Sequence, residues 1–334
     1  MNKKLNIENF KKFCKGSSLN QSDLWKEASK SFANDNSRGY DFNYDRSINV
    51  QNQLYLYVNK FFEIVHKVSI YINKKSHRIL SLLLFRDYQK YKDYRLDLNF
   101  NCKNYLQQDC TPDFLNFYNK LKIQHKLYDS YSTIRIIYYF YYICNEIKER
   151  ESLNVLEIGG GVCNLAKLFC TTVENLNYFV IDLPDVMSYA YNNFDLDDVK
   201  LSLPQEFNEQ KISFDNEAKN IQWLLPDQLS TIPNSKFDLI INTESFAEMD
   251  TNVSSSYTSS IPDLLNSNGI YFSNNRLFRD ISRHNTSEYT SPIFYNNFDN
   301  KLIMYKYFID RFRASIKNYS ETPNLIQIFK KNDK

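Results

Sequence analysis

Apolar positions recur with two different periods on either side of residue 152. Before it, the segments "YLYVNKFFEIVHKVSIYI" (55–72), "SHRILSLLLFRDYQKY" (76–91) and "YSTIRIIYYFYYICNEIKER" (131–150) carry apolar residues at helical spacing, which predicts amphipathic helices. A further helix is predicted in "DCTPDFLNFYNKLKIQHKLY" (109–128), where Thr111 stands as N-cap before Pro112 at the first helical position. After residue 152 the pattern becomes short apolar runs alternating with helical segments. The runs are "LNVLEI" (153–158), "NYFVID" (177–182), "IQWLL" (221–225), "FDLIIN" (237–242) and "GIYFSN" (269–274). "NLIQIFKK" (324–331) is a late strand, and "KLIMYKYFI" (301–309) is an ambiguous one. Strands alternating with helices predict a parallel sheet covered on both faces. The chain therefore divides into a helical N-terminal part, 1–150, and an α/β part, 151–334.

Composition sharpens one point in this pattern. The 334 residues hold only 6 Gly, against 26 Tyr and 25 Phe, whereas average usage is about 7% Gly. Three of the six, Gly159, Gly160 and Gly161, are adjacent, between the first strand and a helix predicted from about Cys163. A turn of residues without Cβ brings the backbone under any ligand lying across the strand ends. The following helix adds unpaired N–H groups and a positive dipole end. The remaining composition excludes more than it suggests. A net charge of +2 with interspersed signs is not the basic stripe of a nucleic-acid binder. The six cysteines form no C-x-x-C pair and no zinc spacing, and read as reduced thiols of a cytoplasmic protein. The longest apolar stretches, 79–85 and 134–144, are too short to span a bilayer.

Two cofactor chemistries use a glycine turn after a first strand. The dinucleotide fingerprint G-x-G-x-x-G is met by Gly159 and Gly161 but broken at Asn164. Glu157, two residues before the first Gly, decides between them: an acid in the last turn of a buried strand is costly without donors. Glu157-Ile158-Gly159-Gly160-Gly161 resembles motif I of class I S-adenosylmethionine-dependent methyltransferases. Asp182 ends the second run, where a carboxylate can accept from both ribose hydroxyls while Leu183 lies against the adenine. An acid there is shared with dinucleotide enzymes, and it can equally serve the helix entered at Pro184.

The motifs "VLEIGGGVCNLAKLF", "YFVIDLPDV", "FDLIINTESFAEMD" and "GIYFSNNR" together resemble the bacterial sugar O-methyltransferase family, in order and spacing, across 153–276. A helical N-terminal region is similar too, with weaker motifs. The resemblance implies a Rossmann-like class I methyltransferase sheet of seven strands, the last antiparallel, beside a helical N-terminal domain. It implies S-adenosylmethionine as methyl donor and the hydroxyl of a sugar, nucleotide-sugar or surface-polysaccharide precursor as acceptor. Plant-type small-molecule O-methyltransferases share the "DLP" after the second strand but place a His–Asp pair where this chain has Ala247 and Glu248, so their base does not carry over. Cys163 stands where the sugar family more often has Gly.

Methyl transfer to a hydroxyl needs alignment and a proton acceptor. Asn242, ending the run 237–242, is placed to meet the methionine end of the cofactor through its backbone. Glu244 and Glu248 follow, four residues apart, on one face if the segment is helical; Glu248 is the candidate base, with Glu244 and His284 as further candidates. Two such acids could also hold a divalent ion, and they could equally be solvent-facing. Asn274, Asn275 and Arg276, after the run 269–274, are candidates for sugar hydroxyls or a phosphate. His66, His77 and His125 read as structural. The competing readings are a methyltransferase for another small acceptor, a non-catalytic subunit of the same fold, and a dinucleotide oxidoreductase. Oligomeric state, homo-oligomer included, and metal dependence stay open.

Overall fold

In the computed structural model, the residues described are 102–125, 131–147, 150–192, 194, 196–203, 212, 214, 219–249, 251–276, 300–310 and 322–332. The helices predicted at 55–72 and 76–91, with His66 and His77, lie outside them. Two compact units are distinguished, and the division falls after Tyr141.

The helical unit contains α1 (Cys102–Leu106), a 3-10 turn (Gln107–Asp109), α2 (Pro112–Gln124) and the first part of α3 (Tyr131–Ile147). The predicted start of α2 is observed: the Thr111 hydroxyl accepts from the Phe114 N–H at 3.2 Å, with Pro112 in the first turn. Tyrosine fills this unit's core. Phe114 meets Tyr138 and Tyr141 edge-on at 5.3 and 5.5 Å between centroids, a favoured geometry for aromatic pairs. Among the described residues of this unit Tyr105, Tyr118, Tyr138 and Tyr139 are buried, in a chain that is short of Gly and Ala. His125 ends α2 half-buried, and burial lowers its pKa.

The second unit is built on one sheet. Its strands are β1 (Ser152–Ile158), β2 (Asn175–Ile181), β3 (Val199–Ser202), β4 (Lys219–Leu224), β5 (Phe237–Thr243), β6 (Leu265–Arg276), β7 (Asn300–Asp310) and β8 (Thr322–Lys331). Their order across the sheet is β3-β4-β2-β1-β5-β6-β8-β7. All pairings from β3 to β6 are parallel, and β8 runs antiparallel between β6 and β7. The helices are α4 (Asn164–Thr172), α5 (Pro184–Asn192) and α6 (Thr251–Leu264). The segment 301–309 resolves as a strand because β8 supplies its partner. Without β3, a four-residue edge strand paired only to β4, the sheet is the expected seven strands with the last antiparallel.

Alternation along the strands separates two faces. Leu156, Ile158, Phe179, Ile181, Ile240 and Tyr271 form one core with Tyr257, Ile261 and Leu264 of α6. Val155, Glu157, Tyr178 and Val180 belong to the other face, where Phe169 of α4 meets Tyr178 at 5.6 Å. Asparagines fix the register of three parallel strands. Asn154, Asn177 and Asn220 stand side by side on β1, β2 and β4, and their amides donate in sequence at 3.0 and 3.1 Å. A one-residue slip would break this ladder and invert both faces.

Candidate active site

The chain leaves β1 for β2 on one side and, after β4, returns to β5 on the other side of β1. The carboxyl ends of β1 and β5 therefore flank a topological switch point, where open α/β sheets bind ligands. Gly159, Gly160 and Gly161 lie there, and each lacks a Cβ for a different reason. Gly159 has φ +75°, and a Cβ on it would overlap the side chain of Ser245. Gly160 sits down on the sheet, where a Cβ would press on Val180 and approach Glu157 Oε2 to 3.0 Å. Gly161 has φ +56°, and a Cβ there would meet no heavy atom within 4 Å among the described residues. Gly159 and Gly160 serve packing; Gly161 borders open space.

Asp182, at the end of β2, is 8% exposed. Its carboxylate accepts from the Gly161 N–H at 2.7 Å and from the Leu183 N–H at 2.7 Å. It thereby pins the glycine turn to the β2 edge. Leu183 is half-buried beside it.

Glu157 lies beneath the turn, on the α4 face, and is 2% exposed. A carboxyl buried this deeply needs a donor. One is found: the Tyr178 hydroxyl donates to Glu157 Oε2 at 2.8 Å. Burial, reinforced by the nearby Asp182 charge and opposed by the Tyr178 bond, pushes the carboxyl up to about 8, so at neutral pH the neutral form dominates. Cys163 follows in the left-handed conformation, φ 60°, as N-cap of α4. Burial and the neighbouring acids push its thiol well above its ordinary value, which leaves it inert as a nucleophile.

On the β5 side, Asn242 is fully buried. Its amide donates to the Ile158 carbonyl at 2.8 Å and to the Ser245 hydroxyl at 2.5 Å. It accepts from Asn275 Nδ2 at 2.8 Å, and Asn275 in turn donates to Ser273 at 3.0 Å and accepts from the Ala247 N–H at 3.3 Å. Asn275, a sequence candidate for sugar binding, is 3% exposed and spends its amide holding the segment after β5. Asn274, also buried, offers its carbonyl to the Glu244 N–H at 2.6 Å. Arg276 is the last residue of β6.

The expectation that Glu244 and Glu248 share a helical face is corrected by the backbone. Helix α6 begins only at Thr251. Glu244 is in the left-handed conformation, φ 62°, and Glu248 ends a separate 3-10 turn, Phe246–Glu248. The chain must turn sharply on leaving β5 to bring Ser245 against Gly159, and Glu244 takes up that turn. Its Oε1 accepts from Asn324 Nδ2 of β8 at 3.3 Å, and Asn324 is 1% exposed. Ser245, Tyr178 and Asn324 were missed by the sequence reading, since their partners are 87, 21 and 80 residues away. His284 lies outside the described residues. Among the described residues no group of His, Cys, Asp or Glu is arranged to hold a metal ion, and no helix is long and apolar enough to cross a membrane.

No protein-family model and no curated protein sequence matches the chain. Its fold is similar to several solved structures. The N-methyltransferase NodS from Bradyrhizobium japonicum aligns with TM-score 0.40 and 15% identity over 61% of this chain and 97% of that one. A SAM-dependent methyltransferase from Methanosarcina mazei aligns with TM-score 0.40 and 10% identity, covering 58% and 98%. The YcgJ protein of Bacillus subtilis gives TM-score 0.39 and 12% identity, covering 59% and 99%.

Proposed function

We propose that the chain is an S-adenosylmethionine-dependent O-methyltransferase acting on a sugar hydroxyl. The observation that carries this reading is the open, left-handed Gly161 at the switch point, its N–H tied to the Asp182 carboxylate. A cradle that a Cβ would fill, beside a carboxylate at the end of β2, suits a nucleoside ribose. The residues present fit the cofactor. Gly161 would leave room for it, Asp182 would take its ribose hydroxyls, and Leu183 would lie against the adenine. Glu157 acts from below, filling the space under Gly160 and supporting the turn. The cofactor supplies a methyl group on a sulfonium, electrophilic without a metal ion.

Across the sheet edge the order β2-β1-β5-β6-β8 puts Asp182 and Glu244 on opposite sides of the glycine turn. Glu244 therefore stands on the acceptor side. There its carboxylate accepts the proton of the sugar hydroxyl as the oxygen becomes nucleophilic. Asn324 orients the carboxylate, and the Asn242–Asn275 pair fixes the segment that carries it. Glu248 and His284 are the other bases on this reading. The sugar acceptor itself rests on the motif resemblance across 153–276, and an acceptor panel separates it from phenols, amines and carboxylates.

The test is calorimetric titration with S-adenosylhomocysteine, with NAD⁺ as control. The wild type binds S-adenosylhomocysteine and not NAD⁺, and Asp182→Ala loses the binding while staying folded. Binding of NAD⁺ in its place would sink the methyltransferase reading.

A further inference from the structure

The sequence holds no C-x-x-C pair, yet the fold brings two thiols together in the helical unit. Cys102 opens α1, and Cys110 closes the 3-10 turn that follows it. Their sulfurs are 3.4 Å apart, with the Cys110 S–H donating to Cys102 Sγ. Both thiols are free. The turn between them sets this approach. Gln107 is left-handed at φ 51°, and the Cys110 N–H donates to the Gln107 carbonyl at 3.1 Å. A left-handed residue other than glycine costs free energy, and the reversal made there returns Cys110 to Cys102. A disulfide holds its sulfurs about 2.05 Å apart. Closing the gap takes roughly 1.4 Å, a movement that small rotations of the two side chains supply.

The two thiols differ in access. Cys102 is buried, whereas Cys110 is only half-buried, so a small reagent reaches Cys110 first. Three other cysteines are set apart from this pair by their surroundings. Burial pushes the thiols of Cys144 and Cys170 up to about 12 and that of Cys163 well above its ordinary value, which keeps them unreactive. The pair also sits where a bond would hold something. α1 has five residues, too few to persist on its own hydrogen bonds, and its Tyr105 and Leu106 are buried. Thr111, next to Cys110, is the N-cap of α2.

We propose that Cys102 and Cys110 are a reversible redox pair that is oxidised by a low-molecular-weight disulfide and then fastens α1 to the start of α2. The Cys110 thiolate attacks one sulfur of the small disulfide, displaces one thiol and carries the other half as a mixed disulfide. Cys102 then attacks the Cys110 sulfur, forms the Cys102–Cys110 bond and displaces the second thiol. The two cysteines give up two protons and two electrons, which leave on the two released thiols. The pair is independent of the cofactor reading.

The experiment treats the folded full chain with oxidised glutathione, blocks remaining thiols with N-ethylmaleimide and digests it with trypsin without reduction. Trypsin cuts after Lys103, between the two cysteines, so the bond appears in mass spectrometry as two linked peptides. The expected result is this linked pair, absent after dithiothreitol, and an oxidised chain that melts about 2 to 4 °C higher than the reduced one. Cys102→Ser stops at the mixed disulfide and keeps glutathione on Cys110. Cys110→Ser leaves Cys102 modified at least about tenfold more slowly than Cys110 is in the wild type. A wild type that retains glutathione on Cys110, that links either cysteine to a different one, or that stays unmodified would overturn the proposal. So would an oxidised chain that melts no higher than the reduced one, since the bond would then fasten nothing.

Discussion

The two edges of the central sheet use the same residue types to opposite ends. At the amino edge, Asp238 accepts from Arg150 at 2.7 Å, from Asn266 at 2.6 Å and from the Asn154 N–H at 2.9 Å. Side chains from β6 and from the approach to β1 close around it, and the left-handed positions nearby are Ser235 and Asn268. At the carboxyl edge, Asp182 accepts from two backbone N–H groups, and the left-handed positions are Gly159, Gly161, Cys163 and Glu244. Asn adopts that conformation readily, whereas Ser, Cys and Glu do so at a cost, so one such residue, Ser235, stands at the amino edge and two, Cys163 and Glu244, at the carboxyl edge. One edge is a clamp between strands. The other stores strain around an opening, and the difference lies in what surrounds each carboxylate rather than in the carboxylate.

The contrast is broken most severely at Gly159. Gly159→Ala places a methyl group into Ser245 at a φ of +75°. Left-handed strain and overpacking together cost about 2 to 4 kcal/mol. The melting temperature drops, and S-adenosylhomocysteine binding is abolished in calorimetry because the turn moves. Retained binding with an unchanged melting temperature would show that the turn and Ser245 are not in register as described.

Glu157 sharpens the comparison through pH. Its carboxyl is raised from 4.5 to about 8, first by burial. Between those values the folded chain holds a proton that the unfolded chain has lost. Stability from this group is therefore complete below about pH 4.5 and lost as pH rises toward about 8, at a slope of at most ~1.4 kcal/mol per pH unit. Glu157→Gln, which can still accept from Tyr178, lacks this slope. In urea unfolding at pH 5 and pH 8 the variant gains on the wild type at the higher pH; parallel behaviour would mean that the acid is charged in the fold.

Much of the sheet was legible because burial imposes a local pattern. The runs around Glu157, Asp182 and Asn242 are strands for that reason, and the glycine turn stood out against a chain that otherwise avoids glycine. What stayed hidden depends on partners. β3 shows only Val199 and Leu201 as apolar positions over four residues, too few to register as alternation. β6 begins at Leu265, four residues before the apolar run, through Asn266, Ser267 and a left-handed Asn268. Its pairing with β5 holds that polar stretch in the sheet, at a register shift between Phe237 and Leu239. The shared face of Glu244 and Glu248 failed because four-residue spacing is informative only where a helix exists. The need of Gly159 for Ser245 could not be read at all, since it arises where β1 and β5 meet.

Asp238→Ala tests the amino edge alone. It removes the acceptor of Arg150, Asn266 and the Asn154 N–H, and the loss is about 1 to 3 kcal/mol. The ion pair contributes little of that, because the Arg150 side chain is 32% exposed. Chemical denaturation shows the loss, while S-adenosylhomocysteine affinity stays within about twofold of wild type. A large loss of affinity would mean that the two edges are coupled through β1 and β5, and the division drawn between them would fail.

Gly161→Ala is the mildest change to the fold and separates room from strain. A Cβ there meets nothing within 4 Å among the described residues, so only the backbone conformation at φ +56° opposes it, at roughly 1 kcal/mol. If the open space is where the cofactor lies, the methyl group that barely affects folding still occupies part of the ligand's volume. S-adenosylhomocysteine affinity then falls by tenfold or more, out of proportion to a melting shift of only about 2 to 4 °C. The opposite ratio, a protein that melts early yet binds normally, would place the cofactor elsewhere along the edge. It would also return Gly161 to the role of its two neighbours, a residue chosen for the turn alone.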